Sequence, residues 1–300
     1  MEYLFTLVLG ALAGFLARWY MLRRDYRQYP SYPQGWAIHL LLWVIGGLIG
    51  AVIVPALMER DFSAVSFLLL AATQFREVRN MERNTLTAME ATEMVGRGSG
   101  YIEGIARVFE ARNYLAIWVA LAAAVVSQLF DPNRPLQIVG GFIVALCLAW
   151  VLNRLMQGSV IGEIADVELA ELGFDGPVLQ VNGVHVMNVG LSDARRTWIE
   201  KGLGAVVRPK GPDAKATLGN IGQMQAIAHD VISMIGLYMD VGEQEFVPVV
   251  RRERESGSLV MAIVPSEPDA NAFLEAIRRV PVLEGAIRKP LSSRAGRMLD

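Results

Sequence analysis

Hydrophobic positions follow two different rhythms along the chain, and the change falls near Met156. Before it, apolar residues run in blocks approaching the roughly 20 residues that a helix needs to cross a bilayer. Four blocks qualify: Tyr3 to Leu22, Trp36 to Met58, Tyr114 to Phe130 and Leu136 to Leu152. The last two form a hairpin around Asp131-Pro132-Asn133-Arg134-Pro135, whose residues favour a turn. A fifth block, Phe62 to Phe75, spans only about 14 residues, a length suited to a tilted or re-entrant helix. Gly46, Gly47 and Gly50 in the second block offer close helix contact.

After Gly162 the apolar runs shorten. Val178 to Val181, Ala205 to Val207, Phe246 to Val250 and Leu259 to Val264 predict strands, rich in Val and bounded by Gly, Pro or charge. Thr217 to Met239 and Pro268 to Arg279 predict helices, the second with Pro in its first turn and Arg in its last. The expected architecture is a helical membrane domain over residues 1–158, with four to five hydrophobic helices. An amphipathic segment at about 76–113 lies between those helices. A small soluble α/β or α+β domain follows over 163–290, with helices covering one sheet, and 291–300 form a flexible tail.

Composition sharpens the membrane reading. The chain is 53% hydrophobic and 19% charged, with mean hydropathy +0.35, whereas about a quarter of a soluble domain is charged. A net charge of −2 and a pI near 6.0 give no support for a nucleic-acid partner. The single Cys147 excludes an intramolecular disulfide and reads as a packing residue, and no metal or cofactor signature is present. Glu2 precedes the first apolar block and Arg18, Arg23, Arg24 and Arg27 lie at or beyond its end. That order describes an uncleaved anchor with its amino terminus outside the cell. Arg18 lies near enough to the helix end to snorkel. Five crossings then place the Arg76–Arg112 region and the carboxyl domain in the cytoplasm; four crossings would place that domain outside.

Candidate chemistry is sparse. Gly96-Arg97-Gly98-Ser99-Gly100 predicts a flexible bend with accessible backbone amides, and Ser99 can cap the helix that follows. Glu103, Arg107 and Glu110 recur on one helical face as ion pairs of structural or functional use. Gly219, Asn220 and Gly222 form a turn before a helix, a candidate for phosphate or another anionic ligand, with a capped helix as the plainer alternative. His229-Asp230 invites an acid/base reading, although neighbours on a helix point about 100° apart. Ser99, Ser233 and Ser258 are available hydroxyls, none in a nucleophile-elbow pattern. His39, inside the second apolar block, is the more unusual histidine.

The hexapeptide Tyr101 to Ala106 reads YIEGIA, flanked by FREVRNMERNTL, GRGSG and ARVFEARNYLAIW. With these flanks the chain resembles the YIEGIA family of membrane proteins from spore-forming Firmicutes. The resemblance covers most of the chain and implies a sporulation-associated, multi-pass protein of the cell membrane. It brings no catalytic mechanism to map onto residues.

Two readings follow for the carboxyl domain. It presents a surface to a protein partner for interaction or regulation, or it is a membrane-bound protease acting on a protein substrate, with Ser99, Glu103, His229 and Asp230 as its candidate residues. A transporter fits less well, because the apolar blocks carry few polar residues beyond His39, Gln128 and Gln137. Self-association is left open.

Overall fold

The computed structural model describes residues 3–25, 33–130, 132–155, 158–239 and 246–287. The tail expected over 291–300 lies outside the described residues. The chain divides into two compact units: Met1–Asn84 with Ile105–Gln157, and Thr85–Gly104 with Gly158–Asp300.

The first unit is a helical bundle built from α1 (Leu4–Asp25), α2 (Pro33–Met58), most of α3 (Phe62–Met89), α4 (Ser99–Leu129) from Ile105 onward, and α5 (Arg134–Leu155). Four of these helices contain stretches long and apolar enough to cross a membrane, and α3 contributes the shorter apolar run Phe62–Ala71. Water cannot hydrate such a surface favourably: Phe62, Phe67, Leu69, Leu70, Leu129 and Leu146 are all exposed. The bundle is that of a membrane protein.

Small residues let the helices approach. A Cβ on Gly50 of α2 would lie 2.2 Å from the Ile117 carbonyl oxygen of α4, and one on Gly47 would lie 2.6 Å from the Ala11 carbonyl of α1. Leu9 of α1 fits against Gly141 of α5. Beyond it Ala13, Ala17, Ala145 and Ala149 share a buried cluster with Val119 and Ala123 of α4. At one end of the bundle the Tyr3 hydroxyl donates to Glu59 Oε1 at 2.8 Å, and the Arg134 guanidinium lies 4.6 Å from the Phe5 ring centre. The starts of α1 and α5 and the end of α2 therefore share that end.

Two expectations are corrected here. Residues 62–75 were expected as a segment separate from the amphipathic stretch over about 76–113; α3 instead runs unbroken from Phe62 into that stretch and ends at Met89, and α4 takes up the stretch again from Ser99. No Gly or Pro interrupts the sequence there, so the backbone hydrogen-bond ladder continues. Arg18 was expected to snorkel towards water. It is fully buried, with its guanidinium 5.1 Å from the Trp43 ring centre and 5.7 Å from that of Phe109, a stacking that suits the flat, weakly hydrated guanidinium.

The second unit is α+β. It starts with the last residues of α3 from Thr85, a single 3₁₀ turn, Glu90–Thr92, and the first turn of α4. After the short α6 (Ile161–Ile164) come β1 (Ala165–Ala170), β2 (Leu172–Asp175), β3 (Val178–Val181), β4 (Val184–Asn188), α7 (Ser192–Lys201), β5 (Leu203–Pro209), α8 (Pro212–Leu218), α9 (Ile221–Ile235), β6 (Val249–Arg252), β7 (Leu259–Ile263) and α10 (Ala270–Arg279). The strands form an antiparallel four-stranded sheet in the order β1-β5-β7-β6 and a three-stranded meander β2-β3-β4.

Strand alternation sorts the core into two layers. Val206 of β5 and Val260 and Ala262 of β7 pack with Leu179 and Val181 of β3, Val186 of β4, Trp198 of α7 and Phe246. Helices α9 and α10 pack on one another, and both contact the larger sheet. All five residues of β7 are buried, as an inner strand covered on both faces requires, which is why it reads as an uninterrupted apolar run.

The predicted helix over Thr217–Met239 is two helices, because Gly219-Asn220 ends α8 and begins α9. Phe246 precedes β6 instead of opening it and enters the core as a side chain. His185 lies within β4.

Candidate functional site

The site lies wholly in the second unit, where residues 90–104 fold onto α9. Two glycines make this approach close. Gly98 has φ +79°, and a Cβ there would sit 2.4 Å from Gln225 Nε2. Gly222 of α9 faces Gly100 so closely that its Cβ would lie 2.6 Å from the Gly100 carbonyl oxygen. Three amides of this segment, those of Gly98, Gly100 and Tyr101, are taken by protein side chains. Gln225 Oε1 accepts from the Gly100 and Tyr101 N–H groups at 2.9 and 3.1 Å, and Glu90 Oε1 accepts from Gly98 N–H at 2.5 Å. The flexible bend with accessible amides is thus corrected: the Gly-rich stretch is a fitted backbone contact, and Gln225 caps the first turn of α4.

Upon that contact sits a chain of polar side chains. The Tyr101 hydroxyl donates to Asp230, 3.0 Å from Oδ1 and 3.3 Å from Oδ2. His229 Nδ1 lies 3.1 Å from Asp230 Oδ1, and its Nε2 lies 3.3 Å from Glu93 Oε2. The other Glu93 oxygen pairs with Arg97. The Tyr101 ring stands edge-on to the imidazole, centres 5.9 Å apart. His229, Asp230, Glu93 and Arg97 have side chains only 10–17% exposed, so each charge depends on its neighbours. Both imidazole nitrogens face carboxylates, and a neutral ring can donate to only one of them. The 100° argument against His229-Asp230 therefore does not decide the geometry, since the two side chains converge.

Beside this chain a cavity of about 330 Å³ is lined by Glu93, Met94, Val95, Arg97, His229, Ile232, Ser233 and Gly236. The arrangement places acid/base groups at a pocket of ligand-binding size. Ser233 lines it, but its hydroxyl donates to the His229 carbonyl one turn back at 2.9 Å. The partner of His229 Nε2 is Glu93, not a serine.

The remaining candidates fall elsewhere. Ser99 and Glu103 stand in the first turns of α4; Ser258 is buried beside Ser256, whose hydroxyl donates to it at 2.8 Å. At the start of α9 the Asn220 side chain accepts from Gln223 N–H at 3.2 Å, Gly222 meets Gly100, and Gly219 faces the Arg252 guanidinium. Glu103 belongs to the second unit and Arg107 and Glu110 to the first, where Arg79 pairs with Glu110 at 3.7 Å. His39 also belongs to the first unit, its ring edge-on to Phe109 at 4.6 Å.

Sequence reasoning did not single out Glu93 and Tyr101 as neighbours of His229, Arg97 as the partner of Glu93, or Gln225 as the acceptor for the Gly100 and Tyr101 amides. A signal was present: Gln225, His229 and Ser233 recur every fourth residue, a polar stripe on a helix whose other polar residues are Gln223 and Asp230.

A bundle with four helices of membrane-crossing length and an antiparallel α+β unit define an integral membrane protein with a sizeable domain beyond its helices. The chain belongs to the YIEGIA family: the family model described as YIEGIA protein matches residues 6–293. It is 42% identical over 289 residues to uncharacterized protein YphB of Bacillus subtilis (strain 168), covering 96% of this chain and 95% of that protein. No solved structure matches. The hexapeptide behind the family's name is mostly interior, with Tyr101, Ile102, Ile105 and Ala106 each at most 1% exposed.

Proposed function

We propose that the protein is a multi-pass component of the cell membrane that acts in sporulation, presenting its second unit to the cytoplasm as an interaction or regulatory module for a protein partner. The observation that carries this reading is that Tyr101, Asp230, His229, Glu93 and Arg97 face one another in a largely buried chain between residues 90–104 and α9. It clamps the segment joining α3 and α4 onto α9, so that the module is built partly from the link between two bundle helices. A partner that binds the module can thereby act on those helices through the chain itself.

The orientation has separate support. At 28 residues α3 is about 42 Å long, enough to reach across the roughly 30 Å of a bilayer's hydrocarbon core, although its apolar run Phe62–Ala71 covers only about half of that depth. We take it as a fifth crossing. The helix ends from which the chain passes to the second unit lie near Arg79, Arg83, Arg107 and Arg154, whereas the opposite end carries Arg60 and Arg134 with Glu59 and Asp61. The Arg-rich end belongs in the cytoplasm by the positive-inside rule.

A second reading, a membrane-bound protease, is favoured by the cavity that faces His229, Glu93 and Ser233. One comparison separates the two. Proteomes of sporulating cells are compared between wild type, a null and full-length His229→Gln and Glu93→Gln variants at equal level, alongside cross-linking of partners. The module reading expects the same cross-linked partner in wild type and in whichever variant stays folded, with no cleavage product lost. A fragment that disappears in the null and in a folded His229→Gln variant overturns it in favour of proteolysis.

A further inference from the structure

Helices α1 and α5 run parallel in the first unit, and their contact leaves a furrow on one side. Its floor is made of small residues, Ala13 and Ala17 from α1 and Ala145 and Ala149 from α5, all buried. Its walls are Leu16 and Tyr20 on one helix and Phe142, Leu146 and Trp150 on the other. The open furrow has a volume of about 310 Å³. Every lining residue lies within the two stretches long and apolar enough to cross a membrane, so the surroundings of the furrow are acyl chains.

The two ends of the furrow differ. Tyr20 and Trp150 mark one end, where amphipathic rings favour the headgroup boundary. One turn beyond Trp150, the last turn of α5 carries Arg154, which is exposed. The parallel α1 closes with the sequence Arg23-Arg24-Asp25 at the same end. No carboxylate lines the furrow. An apolar slot that opens towards arginine at the interface complements an amphiphile with a hydrocarbon tail and an anionic head.

We propose that this furrow binds one anionic phospholipid, an acyl chain lying over Ala13, Ala17, Ala145 and Ala149 and the phosphate headgroup meeting Arg154. Its acyl chain fills space that the side chains leave open between α1 and α5, and its head satisfies a guanidinium at the membrane surface. The assignment does not depend on which face of the membrane is cytoplasmic.

The test is native mass spectrometry of the full-length protein, delipidated in detergent and titrated separately with phosphatidylglycerol and phosphatidylcholine of equal chain length. Wild type is expected to retain one phosphatidylglycerol more tightly than phosphatidylcholine. Arg154→Gln weakens phosphatidylglycerol about fivefold and leaves phosphatidylcholine unchanged. Leu146→Trp adds bulk over the furrow from an exposed position, sparing the helix seam, and is expected to weaken both lipids. Equal affinity for the two lipids in wild type overturns the headgroup assignment. Unchanged binding in a folded Leu146→Trp variant overturns the furrow as the site. A dimer that Leu146→Trp dissolves, with no lipid retained, shows that a second copy of the chain fills the furrow instead.

Discussion

At the scale of single residues, the second unit depends on charges that answer one another away from water. Tyr101 is 1% exposed and donates to Asp230, which also faces His229. Tyr101→Phe removes one hydrogen bond to a charged group and is expected to destabilise the unit by about 1.5–3 kcal/mol. His229→Ala leaves two carboxylates facing an empty space and should cost more, about 3–5 kcal/mol. Thermal melts of the full-length variants in detergent check both values, and equal losses would contradict the network.

At the scale of elements, glycines set how closely the backbones meet, and each contact makes its own prediction. Gly222→Ala drives a Cβ to 2.6 Å from the Gly100 carbonyl oxygen, and such overpacking costs about 1–3 kcal/mol. The loss should appear as faster hydrogen exchange at the Gly100 and Tyr101 amides, which Gln225 now holds; unchanged exchange there would count against the clamp. Gly50→Ala places its Cβ 2.2 Å from the Ile117 carbonyl oxygen and should loosen α2 from α4 while leaving those amides unaffected. These elements were unevenly legible in the sequence. Long apolar runs announced α1, α2 and α5, and β7 was clear because all its residues point into the core. The meander β2-β3-β4 was only partly visible, since its half-buried residues mix polar and apolar without a steady alternation. His229 and Asp230 stood out by type. Their partners did not, because Glu93 and Tyr101 lie more than a hundred residues earlier in a segment that reads as a solvated connector. Only the fold brings Tyr101 to Asp230.

At the scale of the whole molecule, the proposed function divides the chain into a bundle that crosses the membrane and a second unit, including residues 85–104, that is proposed to face the cytoplasm. The interaction reading, the protease reading and the reach of any partner all depend on which side that unit occupies. Thiol labelling in intact cells tests this most directly. In a Cys147→Ser background, single cysteines are placed at Asp61, between α2 and α3, and at Ser256, between β6 and β7, both exposed positions. Each full-length variant is then treated with a membrane-impermeant maleimide before and after permeabilisation. The account predicts labelling of Asp61→Cys in intact cells and labelling of Ser256→Cys only after permeabilisation. Labelling of Ser256→Cys in intact cells would place the second unit outside and contradict it.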